Sequence, residues 1–251
     1  MSSFSYTQPD GATRQVSGYH YSAQNEDDVN TWVPSGNLSH IPLRVDLRHF
    51  MSSIEQQGST NSCVANATAG AYEYLVKRHL GSDGYDVSRL FIYYNARAMD
   101  PDGVTPVTED VGSFTRCAIA GLKTYGAPSE TSWPFNEDMV AEQPSDEVYA
   151  EAQQFCIEDA FKLETDLDVW KTALAEGHPI IFGCNLFTSF EQGRRGKVPM
   201  PNANEAAAAS HGAHAMLCVG YSDHDQVFIV RNSWGETWGD RGYCYMPRTT
   251  T

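Results

Sequence analysis

Residues 57–76 read Gln-Gly-Ser-Thr-Asn-Ser-Cys-Val-Ala-Asn-Ala-Thr-Ala-Gly-Ala-Tyr-Glu-Tyr-Leu-Val. Apolar and small side chains recur there at three- and four-residue steps, which is the spacing of a helix face. Ser62 is a favourable N-cap before this pattern, and Gly81 is a favourable end after it. Because small or apolar residues cover nearly every face, we expect a buried central helix of about five turns.

The rest of the chain divides into a helical part and a β-rich part. Helices are predicted over 88–99 and 113–125, both in the N-terminal half. Beyond Phe155, short apolar runs separated by turns predict strands, with one helix over 168–176. The predicted strands are 161–163, 179–182, 214–219, 227–231 and 242–246. This order predicts an α+β fold, and 251 residues suffice for two lobes with a cleft between them.

The chain is strongly acidic, since 32 Asp and Glu against 17 Lys and Arg give a formal charge of −15. Residues 100–168 contain most of this excess, and we expect them to form a solvated acidic surface. The charge argues against a nucleic-acid partner, which would require a basic face. No apolar stretch reaches the roughly 18 residues of a membrane helix, so no membrane partner is expected.

Six cysteines are spread along the chain without a Cys-x-x-Cys pair. In a chain of this length, such spacing does not predict a disulfide framework, and a reducing compartment fits it best. The first ten residues lack the basic start and apolar core of a secretory signal. We therefore expect a monomer that is cytoplasmic or exported without an N-terminal signal peptide.

Cys63 is a candidate nucleophile because it stands at the first turn of the predicted central helix. Unpaired N–H groups and the helix dipole stabilise a thiolate at that position. A cysteine so placed can have a pKa of about 3.5 to 7.5 instead of about 8.5, especially beside a histidinium. At neutral pH such a thiolate is a nucleophile.

A nucleophilic cysteine also needs a base, and the base needs an orienting acceptor. His214 begins one predicted strand and Asn232 ends the next, so an antiparallel hairpin would bring their side chains together. Gln57, on the loop entering the helix, is a candidate oxyanion donor together with the backbone N–H of Cys63. Trp234 is positioned to shield the His–Asn hydrogen bond from water.

Three segments together resemble the papain-type cysteine peptidases, family C1. They are Gln57 to Cys63, then His214-Ala-Met-Leu-Cys-Val-Gly-Tyr221, then Asn232-Ser-Trp-Gly-Glu-Thr-Trp-Gly-Asp-Arg-Gly-Tyr243. The resemblance covers about residues 45–246. It implies a papain-like two-lobe fold, with a helical left lobe built on a long central helix, a β-barrel-like right lobe and a substrate cleft between them.

The resemblance also implies roles for four residues. Cys63 would be the nucleophile, His214 the base and then the acid, Asn232 the orienting residue and Gln57 the oxyanion donor. The expected reaction is hydrolysis of a protein or peptide substrate through a thioester intermediate. No insertion that would block one end of the cleft is evident, so we expect an endopeptidase.

Substrate contacts follow from the same resemblance. Gly112 would pair backbone to backbone with the residue that precedes the scissile one. Phe114, Gly183 and Ala215 would line the pocket for that residue's side chain, and Trp234 would complete the substrate site. An apolar preference is expected there.

The chain also departs from the family pattern. Thr60 and Asn61 stand where many members have Cys and Gly, and Val64 replaces the usual Trp. No long helical propeptide is evident, and the final strands that usually close one wall of the pocket are not evident either. We expect an N-terminal extension over 1–42, a helical left lobe over 43–157 and a β-rich right lobe over 158–251.

The N-terminal extension carries apolar anchors in an otherwise polar segment, namely Tyr19 and Tyr21, and Trp32 to Pro34. We therefore expect residues 1–42 to pack over the cleft and to restrain the enzyme until the extension is displaced or cut.

Two alternatives remain open at the level of the sequence. An isopeptide-cleaving or transglutaminase-like acyl transferase would use similar groups, and a catalytically silent binding module could share the scaffold. No cofactor or metal is expected, because His211 and His214 form only half of a metal site and no third ligand follows at a suitable spacing.

Overall fold

The computed structural model describes residues 5–7, 11, 13–22, 30–35, 41–81, 85–191, 193–207 and 211–248. Its α-helices are α1 (Cys63–Leu80), α2 (Arg89–Ala98), α3 (Thr115–Tyr125), α4 (Asp146–Ala152), α5 (Leu167–Ala175), α6 (Thr188–Glu191) and α7 (Ala203–Ala207). Its strands are β1 (Ser5–Thr7), β2 (Thr13–Gln15), β3 (Tyr19–His20), β4 (Arg44–Asp46), β5 (Ser113–Phe114), β6 (Ile180–Leu186), β7 (Gly212–Ser222), β8 (Val227–Arg231) and β9 (Tyr243–Pro247). The predicted α+β class is confirmed.

The helical part is built around α1, which contacts α2, α3 and β7. Its residues pack with Ile92 of α2 and Ala118 of α3 in one buried apolar cluster. The helix ends where Gly81 adopts the left-handed conformation, with φ of 63°. Because small side chains such as Ala65 and Ala69 cover its surface, neighbouring elements approach it closely from several sides. The predicted central helix is confirmed.

The β-rich part is one antiparallel sheet that curls into a half-barrel. β7 is its central strand and pairs with β8 along one edge. Along the other edge, β6 pairs with residues 212–218 and β4 with residues 220–222. β9 pairs with β8 and completes the sheet. The long strand β7 therefore carries the residues that face the helical part.

The two parts meet where α1 packs on β7. Tyr74 of α1 lies in the same buried cluster as Leu217 and Val219 of β7. Arg231, at the end of β8, donates a hydrogen bond of 2.7 Å from Nη1 to the carbonyl oxygen of Ser52. This contact joins the segment that precedes α1 to the end of β8.

Some predicted elements differ from the structure. The run 161–163 is not a strand, because only Lys162 forms a bridge, to Thr31, so that prediction is wrong. β6 extends beyond the predicted 179–182 because each of its residues pairs with β7. The strand β4 joins the sheet although it lies within 43–157, which we expected to be helical, because its hydrogen-bonding edge fits beside residues 220–222. The expected boundaries at 42 and 157 stay a prediction.

Among the residues that the structure describes, no helix has both the length and the apolar character needed to cross a membrane.

Candidate active site

Cys63 begins α1 and is buried, with only 1% of its surface exposed. The backbone N–H of Ala215, on β7, lies 3.4 Å from Cys63 Sγ. Burial raises the pKa of this thiol to about 12, although backbone N–H groups of Ala215, Val64 and Cys63 act to lower it. In the covered state the group is thus a neutral thiol, in contrast to the lowered pKa that we expected. The cause is burial, and the segment that contains Gly18, described below, is one of the elements that lie against the sulfur.

The predicted N-cap position of Ser62 is correct, but its side chain accepts no hydrogen bond from the first turn. Its Oγ lies 2.7 Å from Thr60 Oγ1 and accepts a hydrogen bond of 3.0 Å from Asn66 Nδ2. The hydroxyl is thereby committed to Thr60, in the loop that leads into α1, and to the Asn66 side chain of α1 itself. The backbone N–H groups of Cys63 and Val64 act on the sulfur of Cys63 instead, and lower its pKa.

His214 and Asn232 meet as the hairpin prediction expected. His214 Nε2 lies 2.8 Å from Asn232 Oδ1, and both side chains are buried. The backbone N–H of Ser233 also donates to Oδ1, at 2.9 Å. Because an amide N–H can only donate, this contact identifies Oδ1 as the oxygen of the Asn232 side chain. Nε2 must then carry the hydrogen, which leaves Nδ1 as the basic nitrogen of His214.

The indole of Trp234 covers this pair. Its ring lies 5.0 Å from that of His214 between centroids, and 5.3 Å from that of Trp238. The side chain is fully buried. This position fits the shielding role that we expected of Trp234 better than a direct contact with substrate.

Gln57 links the loop before Cys63 to the loop that carries Asn232. Its backbone N–H donates to the carbonyl oxygen of Ser233 at 2.9 Å, and its Oε1 accepts from Ser233 Oγ at 2.6 Å. Its Nε2 donates to the carbonyl oxygen of Thr60 at 2.8 Å. An amide NH₂ has two hydrogens, so this geometry leaves the second one for an oxyanion beside Cys63.

Asn61, one of the departures from the family pattern, ties three segments together. Its backbone N–H donates to Asp110 Oδ1 at 3.0 Å, and its Nδ2 donates to the carbonyl oxygen of Asp110 at 2.7 Å. Its Oδ1 accepts from Ser17 Oγ at 3.1 Å. Nothing in the sequence indicated that Asp110 and Ser17 contact Asn61, because these hydrogen bonds join segments far apart in the chain.

The N-terminal residues 16–22, here called the cleft segment, lie between β7 and β5. The Val16 carbonyl accepts from the backbone N–H of Ala213, and the Gly18 carbonyl accepts from that of Ser113, both at 3.0 Å. β3, within this segment, pairs with β5 in parallel. The segment thus bridges the sheet and the helical part directly over Cys63.

Gly18 is the point of closest approach. A Cβ atom added there would lie 2.3 Å from the Asn61 carbonyl oxygen and 2.8 Å from Cys63 Sγ. A Cβ added to Gly112 would in turn lie 2.4 Å from the Gly18 carbonyl oxygen. The position predicted for backbone pairing with substrate, Gly112, is therefore occupied by the backbone of the cleft segment.

The three predicted pocket residues separate into two groups. Gly183 and Ala215 are cross-strand partners, and the ring of Tyr19 lies on Gly183. Phe114 instead contacts His20, the residue after Tyr19, with 5.1 Å between the two ring centroids. His20 Nε2 also lies 2.7 Å from the carbonyl oxygen of Val111. The assignment of all three residues to one pocket stays a prediction.

A second part of the extension, residues 30–35, is here called the remote anchor. The backbone N–H of Trp32 donates to the carbonyl oxygen of Lys162 at 2.9 Å. Its indole lies 6.3 Å from the His178 ring between centroids, and the Ser35 N–H donates to Glu176 Oε1 at 3.0 Å. Both groups of apolar anchors predicted in the extension therefore contact the folded part, while much of 1–42 lies outside the described residues.

One group of carboxylates in the described part of the chain has the spacing of a cation site, namely Glu55, Glu73 and Asp86. Glu55 already pairs with Arg89 at 2.9 Å, and Glu73 accepts from the Val87 N–H at 3.1 Å. Burial also raises the pKa of Glu73, which favours its protonated form. We assign no metal to this group.

Comparisons with known proteins point to one family. The model of the papain family cysteine proteases matches residues 41–251. An uncharacterised peptidase C1-like protein of Acanthamoeba polyphaga mimivirus is 35% identical over 214 residues, which cover 81% of this chain and 66% of the viral protein. Mouse cathepsin K is 26% identical over 219 residues, which cover 83% of this chain and 60% of the cathepsin. The chain thus spans about two thirds or less of the length of these relatives.

Solved structures show the same fold. The crystal structure of xylellain, a cysteine protease from Xylella fastidiosa, superposes with a TM-score of 0.82 and 31% identity, over 93% of this chain and 91% of that one. A digestive procathepsin L 3 of Tenebrio molitor superposes with a TM-score of 0.68 over 89% of this chain and 70% of that one. At 20% identity, the second match supports the fold alone.

Proposed function

Because the chain belongs to the papain family of cysteine proteases, we propose that it hydrolyses peptide bonds with Cys63 as the nucleophile. The observation that carries this proposal is the hydrogen bond of 2.8 Å between His214 Nε2 and Asn232 Oδ1. It leaves Nδ1 as the base, on the residue adjacent to Ala215, whose N–H contacts Cys63 Sγ. A nucleophile, a base and an orienting residue are the parts that acyl transfer to a thiol requires.

The proposed reaction begins when His214 Nδ1 takes the proton of the Cys63 thiol. The sulfur attacks the peptide carbonyl carbon, and the Gln57 amide with the Cys63 N–H stabilises the negative oxygen that forms. The C–N bond breaks as the imidazolium gives its proton to the leaving amine, and a thioester remains. Water then attacks the thioester with His214 as base, the C–S bond breaks, and the thiol is restored.

We further propose that the cleft segment holds the enzyme in a latent state. Gly18 lies over the nucleophile, and the backbone of the segment takes the position at Gly112 that substrate would use. Displacing the segment would expose Cys63 to water and to substrate. Its pKa would fall, because burial is the main cause of the increase and the three N–H groups that lower it belong to the folded part.

The test is a Gly18→Ala substitution in the full chain. The added methyl group cannot fit beside Asn61 and Cys63, so we expect the segment to leave the cleft. Labelling of Cys63 by a thiol-directed epoxide and hydrolysis of a small peptide should both rise at least tenfold, and the inflection of labelling rate against pH should move to lower pH.

The matched control is Val33→Ala, since Val33 lies in the same extension but is 75% exposed. Its rate of epoxide labelling and its rate of peptide hydrolysis should equal those of the unmodified chain. If Gly18→Ala is labelled at Cys63 no faster than Val33→Ala, the proposal of a latent state is wrong. If Cys63 is labelled but no peptide is cleaved, an acyl transferase that cleaves isopeptides is favoured. If neither occurs, the chain is a binding module without catalysis.

A further inference from the structure

The carbonyl of Ser62, just before α1, accepts hydrogen bonds from two donors of one residue. The backbone N–H of Asn66 donates to its oxygen at 3.0 Å, as the first turn of a helix requires. The side chain adds a second donor, because Asn66 Nδ2 lies 2.9 Å from the same oxygen and 3.0 Å from Ser62 Oγ. Asparagine is not a favoured residue inside a helix. The feature to explain is therefore the use of this buried side chain.

The Ser62 carbonyl shares its peptide group with a proposed oxyanion donor. The Ser62 C=O and the Cys63 N–H belong to one planar trans unit, so they point in opposite directions. A side chain that holds the carbonyl therefore also holds the direction of the Cys63 N–H. A donor on the carbonyl polarises the peptide group as well, which makes its N–H a stronger hydrogen-bond donor. Asn66 thus acts on the oxyanion site through the backbone.

Arg89, the first residue of α2, determines which end of the Asn66 amide faces Ser62. Its Nη1 donates to Asn66 Oδ1 at 3.3 Å. Because a guanidinium can only donate, this contact identifies Oδ1 as the oxygen and directs Nδ2 towards Ser62. Arg89 is itself buried. The orientation of the Asn66 amide thus depends on a cation that belongs to another helix.

The same guanidinium contacts the loop that carries the second oxyanion donor. Its Nη1 also donates to the carbonyl oxygen of Gln56 at 3.3 Å, and Gln56 directly precedes Gln57. Two carboxylates balance the cation and hold it in place, Glu55 at 2.9 Å and Glu130 at 3.3 Å. One buried side chain therefore ties together the neighbours of both proposed oxyanion donors.

We propose that Asn66 and Arg89 are positioning residues of the oxyanion site. Asn66 orients and polarises the peptide group that carries the Cys63 N–H, and Arg89 holds the Asn66 amide in the orientation that this requires. Because the negative oxygen forms only as the sulfur attacks, both residues act on kcat and leave KM nearly unchanged. This inference rests on the proposed peptidase function and adds two residues to its machinery.

The experiment compares Asn66→Leu with Thr68→Val, both in the full chain carrying Gly18→Ala so that the cleft is open. Leucine keeps the approximate shape of asparagine but cannot donate to Ser62. Thr68 is the matched control, because it is buried on the same helix and its Oγ1 donates to the Val64 carbonyl at 2.8 Å. Thr68→Val removes the same kind of hydrogen bond from a peptide group that carries no oxyanion donor.

With a small fluorogenic peptide, Asn66→Leu should lower kcat by about tenfold and change KM by less than about twofold. This loss is smaller than the roughly 10²- to 10³-fold that follows removal of an oxyanion donor itself. Thr68→Val should leave kcat and KM as they are in the parent. The inflection of epoxide labelling rate against pH should stay in place in both variants, because neither substitution changes a charge.

A second readout uses a peptide aldehyde, which forms a reversible adduct with Cys63. The sulfur bonds to the aldehyde carbon and the thiol proton passes to the oxygen, which then lies where the oxyanion forms. Asn66→Leu should raise the dissociation constant of the aldehyde by about tenfold, as expected of a transition-state analogue. The dissociation constant of the corresponding alcohol, which cannot form the adduct, should not change. A merely structural disturbance would weaken the binding of both.

Arg89→Lys serves as a second variant if Asn66→Leu does not fold. It keeps the positive charge beside Glu55 and Glu130, but an ammonium lacks the planar fork that contacts Gln56 and Asn66 together. The same changes in kcat and in aldehyde binding should follow to a smaller extent.

A kcat of Asn66→Leu within about twofold of that of Thr68→Val overturns the inference. An equal loss of affinity for the aldehyde and for the alcohol overturns it too. If the parent cleaves no peptide, the proposed peptidase function is wrong. The aldehyde and the alcohol then still test the two positioning residues, because the adduct with Cys63 forms without hydrolysis.

Discussion

The orientation of the Asn232 side chain is determined by hydrogen bonds to its neighbours. Its oxygen accepts hydrogen bonds from both His214 Nε2 and the Ser233 N–H. Its Nδ2 is buried without a hydrogen-bond partner among the described residues. The orientation of the amide therefore depends on the two contacts of its oxygen, which together determine the proton position on His214.

We expect Asn232→Ala to lower kcat/KM by about 10- to 100-fold, because a buried hydrogen bond to a group that becomes charged contributes about 1.5 to 3 kcal/mol. His214→Ala should lower it by about 10²- to 10⁴-fold, the usual contribution of a general acid and base. Both are measured with a small peptide in the Gly18→Ala chain. Full activity of Asn232→Ala would contradict its role as the orienting residue.

The candidate catalytic residues could be chosen from the sequence, because each stands at a recognisable place in a local element. Cys63 begins a helix, His214 lies near the start of β7, and Asn232 directly follows β8. The protonation state of Cys63 could not be predicted in the same way. It depends on how deeply Cys63 is buried. The apolar anchors Tyr19 and Tyr21 predicted that the extension covers the cleft, but not that Gly18 lies against the sulfur.

At the scale of elements, the N-terminal extension contacts the folded part at two separate places. The cleft segment lies over Cys63, while the remote anchor packs on Lys162 and His178. A second attachment raises the effective concentration of the first at its site. The remote anchor should therefore contribute to latency although it lies away from the nucleophile.

We expect Trp32→Ala in the full chain to accelerate epoxide labelling of Cys63 by about tenfold, less than Gly18→Ala, because only the effective concentration of the cleft segment changes. Val33→Ala again serves as the control, since its side chain is exposed beside Trp32. Labelling of Trp32→Ala at the rate of that control would show that the two attachments act independently.

At the scale of the whole molecule, stability should depend on pH through a buried carboxyl group. Glu73 of α1 accepts hydrogen bonds from Ser52 Oγ and from the Val87 N–H. Burial raises its pKa from 4.5 to about 8, and the nearby Asp86 shares in this increase, whereas Arg231 opposes it. The folded state thus holds a proton that the unfolded chain releases near pH 4.5.

A raised carboxyl pKa contributes stability that is fully present below pH 4.5 and is lost as the pH rises towards about 8. We expect the urea midpoint of the unmodified chain to fall between pH 5 and pH 8, and that of Glu73→Gln to fall less. Part of the decrease in the urea midpoint should persist in Glu73→Gln, because burial also raises the pKa values of Glu55 and Glu130. Equal decreases in both chains would contradict this assignment.

The sequence by itself determined the central helix, the helices α2, α3 and α5, the strands β6 to β9, and the candidate catalytic residues. These features follow from side-chain periodicity and capping, which act over a few neighbouring residues. Only the tertiary structure decided that Gly18 lies on Cys63 and that the ring of Tyr19 fills the space at Gly183. Such contacts join segments that are far apart in the chain. They require a glycine at the point of contact, and a single glycine forms no periodic pattern from which the contact could be predicted.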